Sequence, residues 1–158
     1  MIRNQGAQAN KSGGILEANV KTILNEHDYF QVGHHVPKEI IGNAALLPKR
    51  YGRQIDIGMG IYQTALNVDF YIVGIPKFTS GLIIECKYQE SGGSVDEKFP
   101  YLNLNIQHCY PAPTIVVMGG TGMRQGALDW LKNQVECNHN LVAVNSLDRF
   151  IAWANKNL

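Results

Sequence analysis

The segment from Val68 to Gln89 constrains the fold of this chain most strongly, because it has the pattern of a β-hairpin with an acid in each arm. Two β-rich runs, residues 68–75 and 81–87, flank a loop that is rich in turn-forming residues, Gly74, Pro76, Ser80 and Gly81. If the hairpin folds about the midpoint of this loop, Asp69 in the first arm lies opposite Glu85 or its neighbour in the second. The two carboxylates are therefore expected to lie close together.

A lysine shares the face of the second acid. Alternation along a strand places Glu85 and Lys87 on one face and Ile84 and Cys86 on the other. Paired carboxylates in a half-buried hairpin need a positive neighbour, which can be Lys87 or a divalent cation. Two oxygen donors suit Mg²⁺ or Mn²⁺ acting on a phosphate ester. The alternative is a surface Glu-Lys pair with an unrelated aspartate, and the apolar run Leu82–Ile84 argues against it.

With Asp69 on one strand and Glu85-Cys86-Lys87 on the next, the chain resembles the PD-(D/E)XK nuclease superfamily. Val68 stands where that family has a proline, at a position that varies within the family. The order of elements extends the resemblance over about residues 12–145. The resemblance implies the restriction-endonuclease-like fold, an α/β sandwich with a central mixed β-sheet flanked by helices.

The resemblance also implies a set of site residues. Asp69, Glu85 and the backbone carbonyl of Cys86 would hold Mg²⁺, for which Mn²⁺ is expected to substitute. Lys87 would position or deprotonate the attacking water. Gln89 lies two residues further along the same strand face, and it would orient a phosphate or a water.

Two more acids are candidates for the metal. Many members of the family carry a glutamate on their first helix that reaches the metal site. The Gly-x-x-x-Glu spacing of Gly13 to Glu17 is similar to that feature. The alternative role of Glu17 is an i, i+4 pair with Lys21 on the wet face of the helix. Asp56 is a rival to Asp69, and it ranks second because it points away from the apolar set of its own strand.

Hydrophobic periodicity predicts the other elements. Residues 1–11 are polar and are expected to be loose, whereas Ser12 is placed to cap a first helix with an apolar stripe. Residues 31–53 show no periodicity and are expected to be irregular, with short extended pieces. The remaining elements follow in the order helix, three strands, helix, strand, helix, strand, helix (α-βββ-α-β-α-β-α), with the second helix starting near Pro100. We therefore predict one α/β domain over residues 12–158.

Charge gives a mixed indication about nucleic acid. The chain has 158 residues and a net charge of only +1, whereas nucleic-acid-binding domains are usually strongly basic. Positive charge is concentrated locally, in a stretch whose single acid is Glu39. We expect DNA phosphates to be contacted by this stretch and by one arginine further along, namely by Lys38, Lys49, Arg50, Arg53 and Arg124. For each of these residues the alternative is a solvated loop.

A glycine-rich turn is the strongest competing motif. The segment Gly119–Gly126 follows a predicted strand and precedes a helix, as do loops that cradle phosphate with backbone amides. Its spacing differs from the dinucleotide fingerprint, and it lacks the lysine-serine pair of nucleotide-binding P-loops. It is read either as a tight structural turn or as a nucleotide- or nucleic-acid-binding loop in a protein without catalysis.

Cysteine usage and hydropathy favour a cytoplasmic protein. The three cysteines, Cys86, Cys109 and Cys137, have no metal-type spacing, and we expect them to be reduced thiols. No apolar run approaches the ~20 residues needed to span a bilayer. We therefore expect no membrane partner.

These observations lead to one functional prediction, a Mg²⁺-dependent DNA endonuclease of restriction, phage or repair type. A junction-resolving or other structure-specific nuclease of the same fold is the alternative within the family. One active site cuts one strand, so cleavage of a duplex on both strands predicts a homodimer.

Overall fold

The computed structural model describes residues 5–34, 37, 41–42 and 48–158. Lys38, one of the predicted DNA contacts, lies outside them. The strands are β1 (Phe30–His34), β2 (Arg50–Met59), β3 (Ala65–Val73), β4 (Leu82–Tyr88), β5 (Thr114–Gly119) and β6 (Leu141–Ser146). The α-helices in this part of the chain are α1 (Gln5–Glu26), α2 (Phe99–His108), α3 (Gln125–Asn133) and α4 (Leu147–Asn157).

The six strands form one mixed sheet in the order β1-β2-β3-β4-β5-β6. Strands β2, β3 and β4 are antiparallel neighbours, whereas the pairs β1-β2, β4-β5 and β5-β6 are parallel. The predicted α/β class, with a mixed sheet between helices, is confirmed.

Each face of the sheet has its own buried apolar cluster. The first core joins α1 and α4 to the sheet and includes Leu24, Phe70, Ile84 and Phe150. The second core joins α2 and α3 to the other face and includes Ile55, Val68, Ile83, Phe99 and Leu131. Burial of these two clusters fixes which side chains of each strand face which helices.

The first part of the chain differs from the prediction in two respects. Helix α1 begins at Gln5, so Ser12 lies within the helix and does not begin it. Strand β1 lies in the stretch that we expected to be irregular, and it pairs in parallel with β2 from Phe30 opposite Arg50. Its five residues are too few for a periodicity signal, and its pairing partner is distant in sequence. The expected looseness of residues 1–11 stays a prediction.

The second helix starts where Pro100 predicted it. Helix α2 has this proline in its first turn, where a missing N–H costs no helical hydrogen bond. A 3₁₀ turn, Asp96–Lys98, precedes the helix.

The ribbon of β2 and β3 extends well beyond β4. Strand β3 pairs with β4 at Phe70–Ile72, whereas its pairing with β2 continues to Met59 opposite Ala65. The far end of the ribbon rests on α2, since the Ile61 N–H donates to Asn105 Oδ1 at 2.9 Å. The point where the ribbon leaves β4 lies next to Asp69.

None of the helices in the described residues has the length and hydropathy that crossing a lipid bilayer requires.

Candidate active site

The register of β3 and β4 brings the two predicted acids together. Phe70 lies opposite Ile84 and Tyr71 opposite Ile83, so one further step places Asp69 opposite Glu85. A hydrogen bond fixes the Asp69 side chain at this step, because the Cys86 N–H donates to its Oδ2 at 2.8 Å.

Lys87 bridges the two carboxylates. Its Nζ lies 2.6 Å from Oε2 of Glu85 and 3.8 Å from Oδ2 of Asp69. The Glu85 residue is only 3% exposed, whereas the Lys87 side chain is 27% exposed. One ammonium thus compensates two acids at a place where the sheet opens to solvent.

Burial and charge shift the pKa values of these groups. Burial raises the pKa of Glu85, because it penalises the charged form, although Lys87 acts in the opposite direction. Burial alone would lower the pKa of Lys87, but the Glu85 and Asp69 carboxylates outweigh it and raise this pKa. Lys87 is therefore an ammonium at neutral pH.

Sequence reasoning missed Tyr110, which holds the second oxygen of Glu85. The Tyr110 hydroxyl donates to Glu85 Oε1 at 2.5 Å within the buried part of the site. Burial and the nearby Glu85 charge raise the pKa of this tyrosine, so it keeps its proton. The amide of Asn140 donates to the Tyr110 carbonyl at 2.9 Å and anchors the loop that carries it. A tyrosine in a loop between α2 and β5 has no motif that could have identified this contact.

Gln54, also missed, makes the matching contact with the other acid. Its Nε2 donates to Asp69 Oδ1 at 3.2 Å. Each acid therefore has one oxygen facing Lys87 and its other oxygen held by a neutral donor.

Glu17 lies on α1 and pairs with Arg53 at 2.5 Å. The Arg53 guanidinium also stacks over the Phe70 ring, with 5.3 Å to the centroid, on the side of the first core. Glu17 is among the acids whose charge adds to burial in raising the pKa of the Cys86 thiol, so it lies within electrostatic range of β4. Its contact in this structure is with Arg53, and a role as metal ligand stays a prediction.

Gln89 ties the end of β4 to the glycine-rich turn. Its Nε2 donates to the Gly122 carbonyl at 2.8 Å, and its Oε1 accepts from the Val95 N–H at 2.8 Å. The Gly122 N–H in turn donates to the Gln89 carbonyl at 2.7 Å. With both ends of its amide engaged, Gln89 supports the turn, and its predicted contact with a phosphate or water would require these bonds to break.

The glycines of this turn allow close packing of two backbone segments. A Cβ on Gly120, whose φ is +81°, would lie 2.2 Å from the Gln89 carbonyl oxygen, and a Cβ on Gly122 would lie 2.6 Å from Ser91 N. No side chain fits in either place. This close approach favours the reading of Gly119–Gly126 as a structural turn.

An internal carboxylate takes the place that an anion would have at the start of α3. Asp96 accepts from the Arg124 backbone N–H at 3.0 Å and from Nε and Nη2 of the Arg124 guanidinium, at 2.9 and 3.0 Å. Arg124 is 63% exposed and also contacts Glu97 at 3.4 Å. A phosphate would have to displace Asp96 to bind these donors, which disfavours the nucleotide-binding alternative.

The contacts between Asp96 and Arg124 predict that the fold loses stability in acid. The hydrogen bonds from Arg124 lower the pKa of Asp96 from its ordinary value of 3.8 to about 2. Because this pKa is lowered, the contacts between Asp96 and Arg124 stabilise the fold at pH values above 3.8, and this contribution disappears as the pH falls towards 2. We expect Asp96→Asn to lower the thermal unfolding midpoint at neutral pH and to have the same midpoint as the wild type near pH 2. Asp129→Asn, in the exposed part of α3, is the control, and an equal effect of both variants would contradict the assignment.

Two other predicted DNA contacts, Lys49 and Arg50, bind backbone carbonyls within the fold. Arg50 is 2% exposed and donates to the Ile41 carbonyl. Lys49 Nζ lies 3.2 Å from the carbonyls of His27 and Leu158 and over the Tyr29 ring. These placements give Lys49 and Arg50 contacts within the fold, and a role as DNA contacts stays a prediction. The rival acid Asp56 is exposed, and its Oδ1 accepts from the Gly58 N–H at 2.8 Å.

The donor set of the site fits a hard divalent cation. Asp69 and Glu85 present carboxylate oxygens to a shared cation, and Lys87 is that cation in this structure. Mg²⁺ characteristically binds through one or two carboxylates and keeps several waters. In the described part of the chain, no group of three or more His, Cys, Asp and Glu side chains is arranged to hold a metal ion. As the side chains lie in this structure, the remaining ligands would come from backbone carbonyls, water or the substrate.

A family model described as a PD-(D/E)XK nuclease superfamily domain matches residues 8–158. Searches of curated proteins and of solved structures find no significant match. The matched range contains every residue of the candidate site. The resemblance predicted from Asp69 and Glu85-Cys86-Lys87 is confirmed.

Proposed function

Because the chain belongs to the PD-(D/E)XK nuclease superfamily, we propose that it is a metal-dependent DNA endonuclease that hydrolyses phosphodiester bonds. The observation that carries the proposal is the bridge from Lys87 to Asp69 and Glu85, at 3.8 and 2.6 Å. Two acids and an amine within a few ångströms match what phosphodiester hydrolysis needs, since both a cation and the developing phosphate charge must be stabilised.

Asp69, Glu85 and the Cys86 carbonyl would hold Mg²⁺ or Mn²⁺, and Glu17 is a further candidate ligand. A bound divalent ion supplies a Lewis acid for the phosphate and lowers the pKa of a bound water. Glu17 becomes available only when Arg53 releases it. Arg53 is itself a predicted DNA contact, and its release from Glu17 would make its guanidinium available to a phosphate.

Lys87 acts as a charged donor. Without a metal ion the two acids raise its pKa, and a lysine ammonium suits positioning of the attacking water and stabilisation of the phosphate. Removal of the water's proton by Lys87 would require the lysine to lose its own proton first. When a metal ion compensates the two acids, Lys87 is free to turn towards the substrate.

The position of Glu85 depends on Tyr110 under this proposal. We expect Tyr110→Phe to weaken Mn²⁺ binding by about 10- to 100-fold, the range for partners that hold a metal ligand in place. Isothermal titration with Mn²⁺ measures the effect.

Tyr71→Phe is the matched control for this variant. Tyr71 is also buried beside the second core, and its hydroxyl donates to the Ser80 carbonyl at 2.8 Å. Both variants lose one tyrosine hydrogen bond, worth about 1 kcal/mol of folding stability for the bond to the Ser80 carbonyl and about 1.5–3 kcal/mol for the bond to the Glu85 carboxylate. Equal Mn²⁺ affinity in the two variants would show that the Tyr110 hydroxyl does not position Glu85.

Cleavage of both strands of a duplex would take two active sites, and we propose a homodimer for this reason. Restriction-type, phage or repair-type and junction-resolving enzymes differ in the base and shape contacts that select DNA, and the catalytic site is common to all three. Supercoiled plasmid and branched DNA therefore serve as parallel substrates.

The test is cleavage of these two substrates with Mg²⁺, with Mn²⁺ and with EDTA. We expect cutting with either metal and none with the chelator. Preference for the branched substrate would favour the structure-specific alternative. Absence of cutting with both metals, together with retention of a nucleotide, would favour the binding module built on Gly119–Gly126.

A further inference from the structure

Gln54 has a backbone conformation that is unusual for its place in the fold. Three non-glycine residues in the described ranges have positive φ: Asp28, Gln54 and Gln63. Asp28 and Gln63 lie in turns, whereas Gln54, at φ +51°, lies within β2. The left-handed region is unfavourable for residues with a Cβ, and glycine is the residue that adopts it most easily.

Both strands of the ribbon change faces at this position. Tyr51 packs in the first core and Ile55 in the second, although residues four apart on a strand normally share a face. On β3, Phe70 packs in the first core and Val68 in the second, although residues two apart on a strand also normally share a face. The pairing register is the same on both sides, so the change arises from rotation of the chain and not from an inserted residue.

The rotation directs the Gln54 side chain at the candidate metal site. Its Nε2 donates to Asp69 Oδ1, whose partner oxygen Oδ2 accepts from the Cys86 N–H and faces Lys87. A glycine would adopt the same backbone more easily but could not make this bond. Strained backbone that persists beside reacting groups is a reason to look for a function of the strained residue.

We propose that Gln54 is a positioning residue for the metal site: its left-handed backbone aims an amide that fixes the orientation of the Asp69 carboxylate. The inference rests on the proposed function, because it assigns Asp69 to the metal. Gln54 itself touches neither metal nor substrate in this role. It acts by holding one oxygen of Asp69 so that the other stays directed towards Lys87 and the shared cation.

The chain contains a matched control for this role. Gln63 is the same residue type with φ +57°, and it lies exposed in the turn between β2 and β3. Its N–H donates to the Gly60 carbonyl at 2.9 Å, and it lies beyond the last pair of the ribbon, Met59 opposite Ala65. Gln54→Gly and Gln63→Gly therefore relieve the same backbone conformation, and they differ in the loss of the amide on Asp69.

The experiment measures Mn²⁺ affinity by isothermal titration, the thermal unfolding midpoint, and plasmid cleavage over a range of Mn²⁺ concentrations. We expect neither glycine variant to lower the midpoint. Gln54→Gly should bind Mn²⁺ about tenfold more weakly, whereas Gln63→Gly should bind as the wild type does. Cleavage by Gln54→Gly should recover when the Mn²⁺ concentration is raised by the same factor, which a purely structural role would not produce.

The outcomes separate this inference from the function on which it rests. Wild-type affinity in Gln54→Gly, in a protein that binds Mn²⁺ and cuts DNA, overturns the positioning role and leaves the nuclease assignment in place. A wild type that neither binds Mn²⁺ nor cuts DNA overturns both. If Gln54→Gly fails to fold, Gln54→Asn decides, because asparagine tolerates positive φ and its shorter side chain withdraws the amide from Asp69.

Discussion

Replacement of Lys87 by alanine is expected to reduce DNA cleavage by about 10²- to 10³-fold at saturating Mg²⁺, the size of effect found when one donor to a developing charge is removed. The physical reason is that Lys87 is the ammonium that the site directs at both acids. With a metal ion bound to those acids, Lys87 would be free to direct its positive charge at the phosphate.

The same variant should also lose stability when no metal is present. Removal of the ammonium leaves two carboxylates side by side, and Glu85 is almost fully buried. Because burial already raises the pKa of Glu85, the variant can relieve the repulsion by protonation, so the loss should be smaller at acidic than at neutral pH. Mg²⁺ should restore the unfolding midpoint, since it binds the folded state.

Lys132→Ala is the control for these measurements, because it removes an exposed lysine at the end of α3. Cleavage by a folded Lys87→Ala at the rate of this control would contradict the role given to Lys87. Loss of stability that Mg²⁺ does not restore would show that the lysine has a packing role alone.

The second large effect is expected from Asp69→Asn. The two hydrogen bonds of the carboxylate come from donors, the Gln54 amide and the Cys86 N–H. An asparagine has one acceptor oxygen, so its own NH₂ must face one of these donors at a cost of about 1–3 kcal/mol. Loss of an anionic ligand should weaken Mn²⁺ binding by more than about 100-fold, the upper end for partners that only support a ligand. Cleavage should fall accordingly.

Asp56→Asn gives the direct comparison, because Asp56 is the rival acid on the neighbouring strand. It is exposed and accepts from the Gly58 N–H, which an asparagine oxygen can also do. We expect stability to change by less than about 0.5 kcal/mol and metal binding to be unchanged. If Asp56→Asn abolishes Mn²⁺ binding and Asp69→Asn does not, the ranking of the two acids is wrong.

Features encoded in local patterns could be predicted from the sequence. Alternation along residues 81–87 gave the correct face for Glu85, and the loop length gave the correct register with Asp69. Pro100 located the start of α2 because proline is tolerated in the first helical turn. The class of fold followed from the order of these elements.

Contacts between residues distant in sequence could not be predicted. Strand β1 depends on pairing with β2, and Tyr110 reaches Glu85 from a loop 25 residues away. The contacts of Lys49 and Arg50 could not be predicted either, because lysine and arginine are usually exposed, whereas here their donors bind backbone carbonyls within the fold. The positive φ of Gln54 left no sequence signal, since the residue is neither glycine nor asparagine.

Anomalous diffraction from crystals grown with Mn²⁺ tests most directly whether Asp69 and Glu85 share a divalent metal ion. We expect a peak within about 2.0–2.6 Å of one oxygen of Asp69 and one of Glu85, with Lys87 displaced from between them. A peak bound to Asp56 or elsewhere, with Lys87 still bridging the two acids at full Mn²⁺ occupancy, would contradict this expectation.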